Sequence, residues 1–163
     1  MRKRFAALGI LLFTVASNCV AEPSDTATIH IVREYCDVWL SLEHLRCLAQ
    51  REVEVVERDG SKAIFTGAWL GEVLDSGCDS AAWLDKHGSV RAFVKVTATD
   101  GSVAVVAMAE AVSDFSTRPV LLAWKRNGQP LSERHGPFQL VVPDDLKPGR
   151  NVRQVKILEV ISP

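Results

Sequence analysis

Asn127-Gly128 constrains the fold of this chain more than any other pair of neighbouring residues. Both residue types accept the positive φ that a two-residue hairpin turn demands. The run Leu121–Arg126 (Leu-Leu-Ala-Trp-Lys-Arg) is therefore predicted to be a strand that stops at this turn and reverses. Pro130 follows, then His135-Gly136, a β-branched run closed by Pro143, a basic loop around Arg150 and a last apolar strand ending near Ile161.

The remainder reads in the same way. Thr28 to Arg33 alternates apolar with polar, as a half-buried strand does. Ser41 precedes leucines at helical spacing (Leu42, Leu45, Leu48), which predicts a capped short helix. Glu52 to Glu57 alternates Val with Glu, and Asp59-Gly60 turns the chain into Ala63-Ile64-Phe65. Thr66 to Leu74 is predicted as a loop and short helix, stopped by Gly77 at the position after the cap. A helical patch at Ala81–Leu84, strands at Val90–Thr99 and Val103–Ala107 around Asp100-Gly101, and one helical turn at Ala109–Val112 complete the pattern. Hairpins outnumber helices and no βαβ period is present, so the expected class is α+β, β-rich with a few short helices.

The first 21 residues are expected to be a signal peptide. Arg2, Lys3 and Arg4 form a basic start, Phe5 to Ala16 is apolar, and Cys19-Val20-Ala21 supplies a small-x-small cleavage site. The apolar run is shorter than the ~20 residues a membrane span needs. Ala16-Ser17-Asn18-Cys19 also resembles a lipoprotein processing site, which leaves lipidation at Cys19 open. The expected location is periplasmic or secreted, with no stable membrane insertion. Residues 22–163 are read as a single domain.

Removing Arg2, Lys3 and Arg4 from 19 basic residues leaves 16 against 20 acidic ones, a net charge of −4. That balance excludes nucleic acid as the main partner. Cys36, Cys47 and Cys78 remain after cleavage, and an oxidising compartment favours one disulfide and one thiol. Cys36 precedes the helix-like run that contains Cys47, so these two are the expected pair; three buried thiols are the alternative.

The stretch from Leu121 to Ile161 resembles, in order and spacing, the C-terminal half of the sulfite-oxidase-like, oxidoreductase molybdopterin-binding domain. There an "NGxpLxxxHGxPxRlvvP" segment is followed by a basic loop and a strand. Ser41-Leu42-xx-Leu45 with Glu52–Val55, Phe65-Thr66-Gly67-Ala68-Trp69-Leu70-xxx-Leu74, and Asp100-Gly101 echo its N-terminal half. The resemblance implies a mixed-sheet fold of the sulfite-oxidase type with molybdopterin as the family cofactor. It further implies a cysteine thiolate on molybdenum just after the second strand of that half, because a soft charged sulfur suits a high-valent metal. The corresponding stretch here, Val55 to Ser61, contains no cysteine. His135-Gly136 matches the family pair near the cofactor. Gln139 stands where an arginine is expected, Arg153 where lysine is usual, and Gln154 where tryptophan follows. Loaded members of the family cross the membrane folded by the twin-arginine route, and Arg2-Lys3-Arg4 lacks that pattern.

The candidate ligand-binding residues are therefore His135, Gly136, Arg150, Asn151 and Arg153, with Gly136 and Gly149 allowing close backbone approach. Guanidinium forks suit phosphate or carboxylate, so an anionic small molecule or an acidic protein surface is the expected partner. The alternative is that His135 and the arginines only cap turns. The histidines show no zinc spacing, no Gly-x-Ser-x-Gly elbow occurs, and Trp39, Trp69, Trp83 and Trp124 are read as packing. No catalytic residue, metal ligand or bound cofactor is expected. The expected function is a non-catalytic binding or accessory module. The alternatives are a molybdopterin-dependent oxidoreductase with unusual metal ligation and a protein-interaction partner of a membrane sensor or redox system.

Overall fold

The alternation of Thr28–Arg33 becomes strand β1, and the computed structural model describes residues 26–57, 59–77 and 90–162 around it. In chain order the further elements are β2 (Cys36–Ser41), α1 (Leu42–Arg46), β3 (Arg51–Val56), β4 (Lys62–Trp69), α2 (Leu70–Ser76), β5 (Phe93–Ala98), β6 (Val103–Ala107) and α3 (Met108–Ala111). Then come β7 (Leu121–Arg126), β8 (Gln129–Pro130), β9 (Gln139–Val141), a 3-10 turn (Pro148–Arg150) and β10 (Val155–Ile161). The strands form two sheets, β2-β1-β10-β5-β6 and β3-β4-β7-β8, with β9 also paired to β7. β1 and β10 run parallel and the remaining pairs antiparallel, so the first sheet is mixed. This is the expected β-rich α+β class.

Several elements follow directly from local chemistry. Asn127 and Gly128 have φ of 51° and 75°, the positive values that close the β7–β8 turn, and the Asn127 side chain accepts from the Ile64 amide at 2.9 Å. Ser41 caps α1, its hydroxyl accepting from the His44 amide at 3.1 Å. One strand is unannounced in the sequence, and two expectations are corrected. Cys36–Ser41 is a strand that turn signals did not announce, because Glu34-Tyr35 reverses the chain without Gly or Pro. Thr66 to Trp69 continues β4 instead of forming a loop, because it pairs with β7. Gly77 is the right-handed C-cap of α2 and not the left-handed residue after it. The patch at Ala81–Leu84 and the predicted signal peptide lie outside the described residues, and no described helix is long and apolar enough to cross a membrane.

The main core fills the space between the sheets. Ile29, Ile31, Val94, Val96 and Leu158 from the first sheet meet Leu122, Trp124 and Leu140 from the second, with Leu45, Leu70, Leu74 and Met108 from the helices. A smaller cluster (Val53, Val55, Ala63, Phe65, Leu121, Ala123, Val141) covers the other face of the second sheet. Trp124 is core as read, whereas Trp39 is 54% exposed and stacks on His30 with ring centres 4.3 Å apart.

β4 and β7 approach closely at Gly67, where the register shifts by a bulge. A Cβ there would lie 2.0 Å from the Leu122 carbonyl oxygen, a backbone atom that cannot step aside. Gly67→Ala should therefore cost about 3 kcal/mol or more and lower Tm by roughly 10 °C, read by calorimetry.

Cys36 and Cys47 are both disulfide-bonded, and no cysteine among the described residues is free. The proposed Cys36–Cys47 pair has a competitor in Cys78, which lies outside the described residues. Its neighbour Gly77 sits against Val38 and Leu40 on the strand that Cys36 opens. Neither Cys36 nor Cys47 should alkylate before reduction. Peptide mapping of unreduced protein then distinguishes Cys36–Cys47 from a pairing of either residue with Cys78, which would leave the other to Cys19 in the uncleaved chain.

Candidate functional site

Two loops build the site, one before β9 and one before β10. In the first, the amides of His135 and Gly136 both donate to the Ser132 carbonyl at 2.8 Å, which closes the turn. The Ser132 hydroxyl lies 2.8 Å from His135 Nδ1 and fixes the imidazole. Gln154 ties this turn to the second loop: its amide donates to the His135 carbonyl at 3.0 Å and its side chain to the Glu133 carbonyl at 2.9 Å.

The second loop is anchored by Arg150 and Asn151. Arg150 donates to Asp145 from Nε (3.0 Å) and Nη2 (2.6 Å), and to Glu110 from Nη1 and Nη2 (3.1 Å each). Both carboxylates are gripped by two donors, and they raise the Arg150 pKa above its ordinary value. Glu110 also accepts from the Ala107 amide at 3.0 Å, which ties α3 into the same network. The Asn151 side chain accepts from the Val142 amide at 2.9 Å.

Between these loops and the β3–β4 turn lies a cleft of about 570 Å³. Val55 and Phe65 give it an apolar floor, Gln139 closes the bottom, and Glu57, Arg126, His135, Asn151 and Arg153 stand around it. A second cleft of about 470 Å³ shares Gly149, Asn151 and Arg153 with the first and adds Asp100, Ser102 and Arg134. Arg153 is exposed, stands on the wall between the two, and makes no ion pair among the described residues. Arg126 is paired with Glu57. Burial, followed by the positive charges of Arg153, Arg126 and Arg134, lowers the His135 pKa below the ordinary histidine value and favours neutral imidazole.

Residues 36–162 match the family model described as the oxidoreductase molybdopterin binding domain, most of the chain from β2 to the end of β10. The chain belongs to that family. No curated protein is similar enough to the chain to count as a relative.

Within this molybdopterin-binding-domain family member, the cleft offers imidazole, guanidinium, carboxylate and amide groups but no sulfur among its lining residues. No three His, Cys, Asp or Glu side chains converge as a metal site among the described residues. Of the sequence-derived candidates, His135, Asn151 and Arg153 line the cleft together. Gly136 is buried beneath the turn, and Arg150 is spent on Asp145 and Glu110 as a structural clamp. Glu57 and Arg126 escaped the sequence reading because they are 69 positions apart and no local pattern links them. Gln139 carried a signal, as the neutral residue in an arginine's place. It is 5% exposed and its Oε1 has no hydrogen-bond partner among the described residues.

Two outcomes follow. Arg150→Ala should destabilise the domain by about 1–2 kcal/mol, a modest figure because water reaches the clamp. Arg150 also holds the Glu110 pKa below its ordinary value, so this contribution is present above about pH 4.5. It is lost as pH falls through the depressed folded value, which acid titration of Tm in both proteins would show. For His135, NMR titration should give a midpoint below 6.5, and Arg153→Ala should raise it by removing a nearby cation. The unfolded chain takes up this proton first, so His135 costs stability as pH falls below about 6.5.

Proposed function

We propose that this domain is an exported, non-catalytic binding or accessory module that uses the family scaffold to hold an anionic small molecule or an acidic protein surface at the cleft. The observation that carries this reading is Arg153. It stands between two clefts without a carboxylate partner among the described residues, in a chain with 20 acidic residues to occupy its cations. His135 beside it favours the neutral form, so it can offer a hydrogen bond without repelling Arg153. Asn151 completes the rim.

The residues do not fit a molybdenum held through a protein thiolate. Glu57, the turn residue nearest the expected ligand position, has its carboxylate on Arg126, and Asp59 uses its own on the Ser61 amide (2.9 Å) and hydroxyl (2.7 Å). The pterin part of the family cofactor would retain His135 and Arg153 as neighbours but would meet neutral Gln139 in place of an arginine. Binding without redox chemistry is the function left to these side chains.

Elemental analysis of protein purified from its native compartment should give no stoichiometric molybdenum, and oxidised extracts no pterin fluorescence. Near-stoichiometric metal would establish the oxidoreductase instead. Arg153→Ala should weaken anion binding about tenfold, as loss of one charge-assisted contact does, while changing stability by about 0.5 kcal/mol or less. Isothermal titration and a melting curve on the same variant check both halves.

A further inference from the structure

Arg126 is the second guanidinium on the cleft, and its fork is only partly filled. Glu57 accepts from Nη2 through one oxygen, Oε2, while Nε is buried without a hydrogen-bond partner among the described residues. A guanidinium matches a carboxylate or phosphate best through two parallel donors. Both side chains are reached by water, at 39% and 32% exposure. Glu57 belongs to the β3–β4 turn and is reached by water, so its carboxylate can rotate out into solvent without being stranded.

We propose that Glu57 is a built-in competitor for the anion cleft: its carboxylate holds Arg126 where an incoming oxyanion would bind, and the ligand displaces it. Arg126 then joins Arg153 as the second cation of the site, and the strength of the Glu57 contact sets how tightly an anion must bind to enter. This rests on the cleft being an anion site. It adds that Glu57 lowers the affinity for every incoming anion by one common factor, because each must displace the same carboxylate.

Titration with inorganic phosphate at constant ionic strength, followed by calorimetry and by the NMR signal of the Arg126 Nε–H, tests this in the intact protein. Glu57→Gln should tighten phosphate binding about tenfold, and the gain should vanish in Glu57→Gln/Arg126→Gln. Glu54→Gln removes the same charge from the strand leading into this turn, but its carboxylate is on Lys62 and outside the cleft. It should change affinity by less than about twofold. Equal tightening by Glu57→Gln and Glu54→Gln would mean long-range charge alone and would overturn the proposal. A gain that survives loss of Arg126, or phosphate that binds neither the wild type nor Glu57→Gln, would overturn it as well. If Arg153→Ala weakens binding while Glu57→Gln leaves it unchanged, only the competitor is lost. If phosphate binds but affinity ignores Arg153, the cleft itself is not the site.

Discussion

The last strand of the chain occupies the middle of the first sheet. β10 pairs in parallel with β1 through His30–Ile157 and antiparallel with β5 through Leu158–Val96. Without it, β1–β2 and β5–β6 would be two separate hairpins, and a lone hairpin is marginal in water. Leu158, fully buried, faces the same core as Ile29, Ile31, Val94 and Val96, so insertion of β10 also completes the apolar layer. The contacts that close the sheet thus join the two ends of the described chain, a non-local pairing that is slow to form. The functional loop immediately precedes this strand and inherits its position from it.

That loop shows how a net-acidic chain decides which cations remain available. Arg150 is shared by Glu110 and Asp145, Arg118 is on Asp144, Arg51 on Glu72, Lys62 on Glu54 and Lys95 on Glu159. Several of these pairs are exposed and contribute little stability, but each removes a positive charge from the surface field. Arg153 is left facing the clefts only because Asn151 and Gln154 fasten the backbone on either side of it. The clamp at Arg150 therefore serves the site indirectly: it fixes the strand entry that presents Arg153.

Elements with a local cause were legible in the sequence. The Asn127-Gly128 turn, the Ser41 cap and the alternation in β1 each rest on residues within a few positions of one another, and the structure has them where the pattern placed them. The continuation of β4 through Gly67 was not legible, because glycine and alanine carry little strand preference and it is pairing with β7 that decides their state. β2 lacked turn residues at its start. The site divided in the same way: His135, Asn151 and Arg153 share a cleft because their loops are near in sequence, whereas the role of Arg150 depended on Glu110, 40 positions away. A basic residue in a loop announces charge, and only the fold says which carboxylate consumes it.

Gln139 draws these threads together. The family pattern places an arginine at this position, and a guanidinium at the bottom of a cleft, 5% exposed, would require an anion to neutralise it. A neutral amide removes that requirement, at a cost of about 1–3 kcal/mol for the unpartnered Oε1. The floor no longer demands a charged ligand, and the apolar surfaces of Phe65 and Val55 beside it favour the uncharged part of whatever enters. Attraction for an anion is thereby moved outward to the rim, where Arg153 is available and Arg126 is shared with Glu57. Rim charges are reached by water and salt, so binding there is weaker and more readily reversed than at a buried cation.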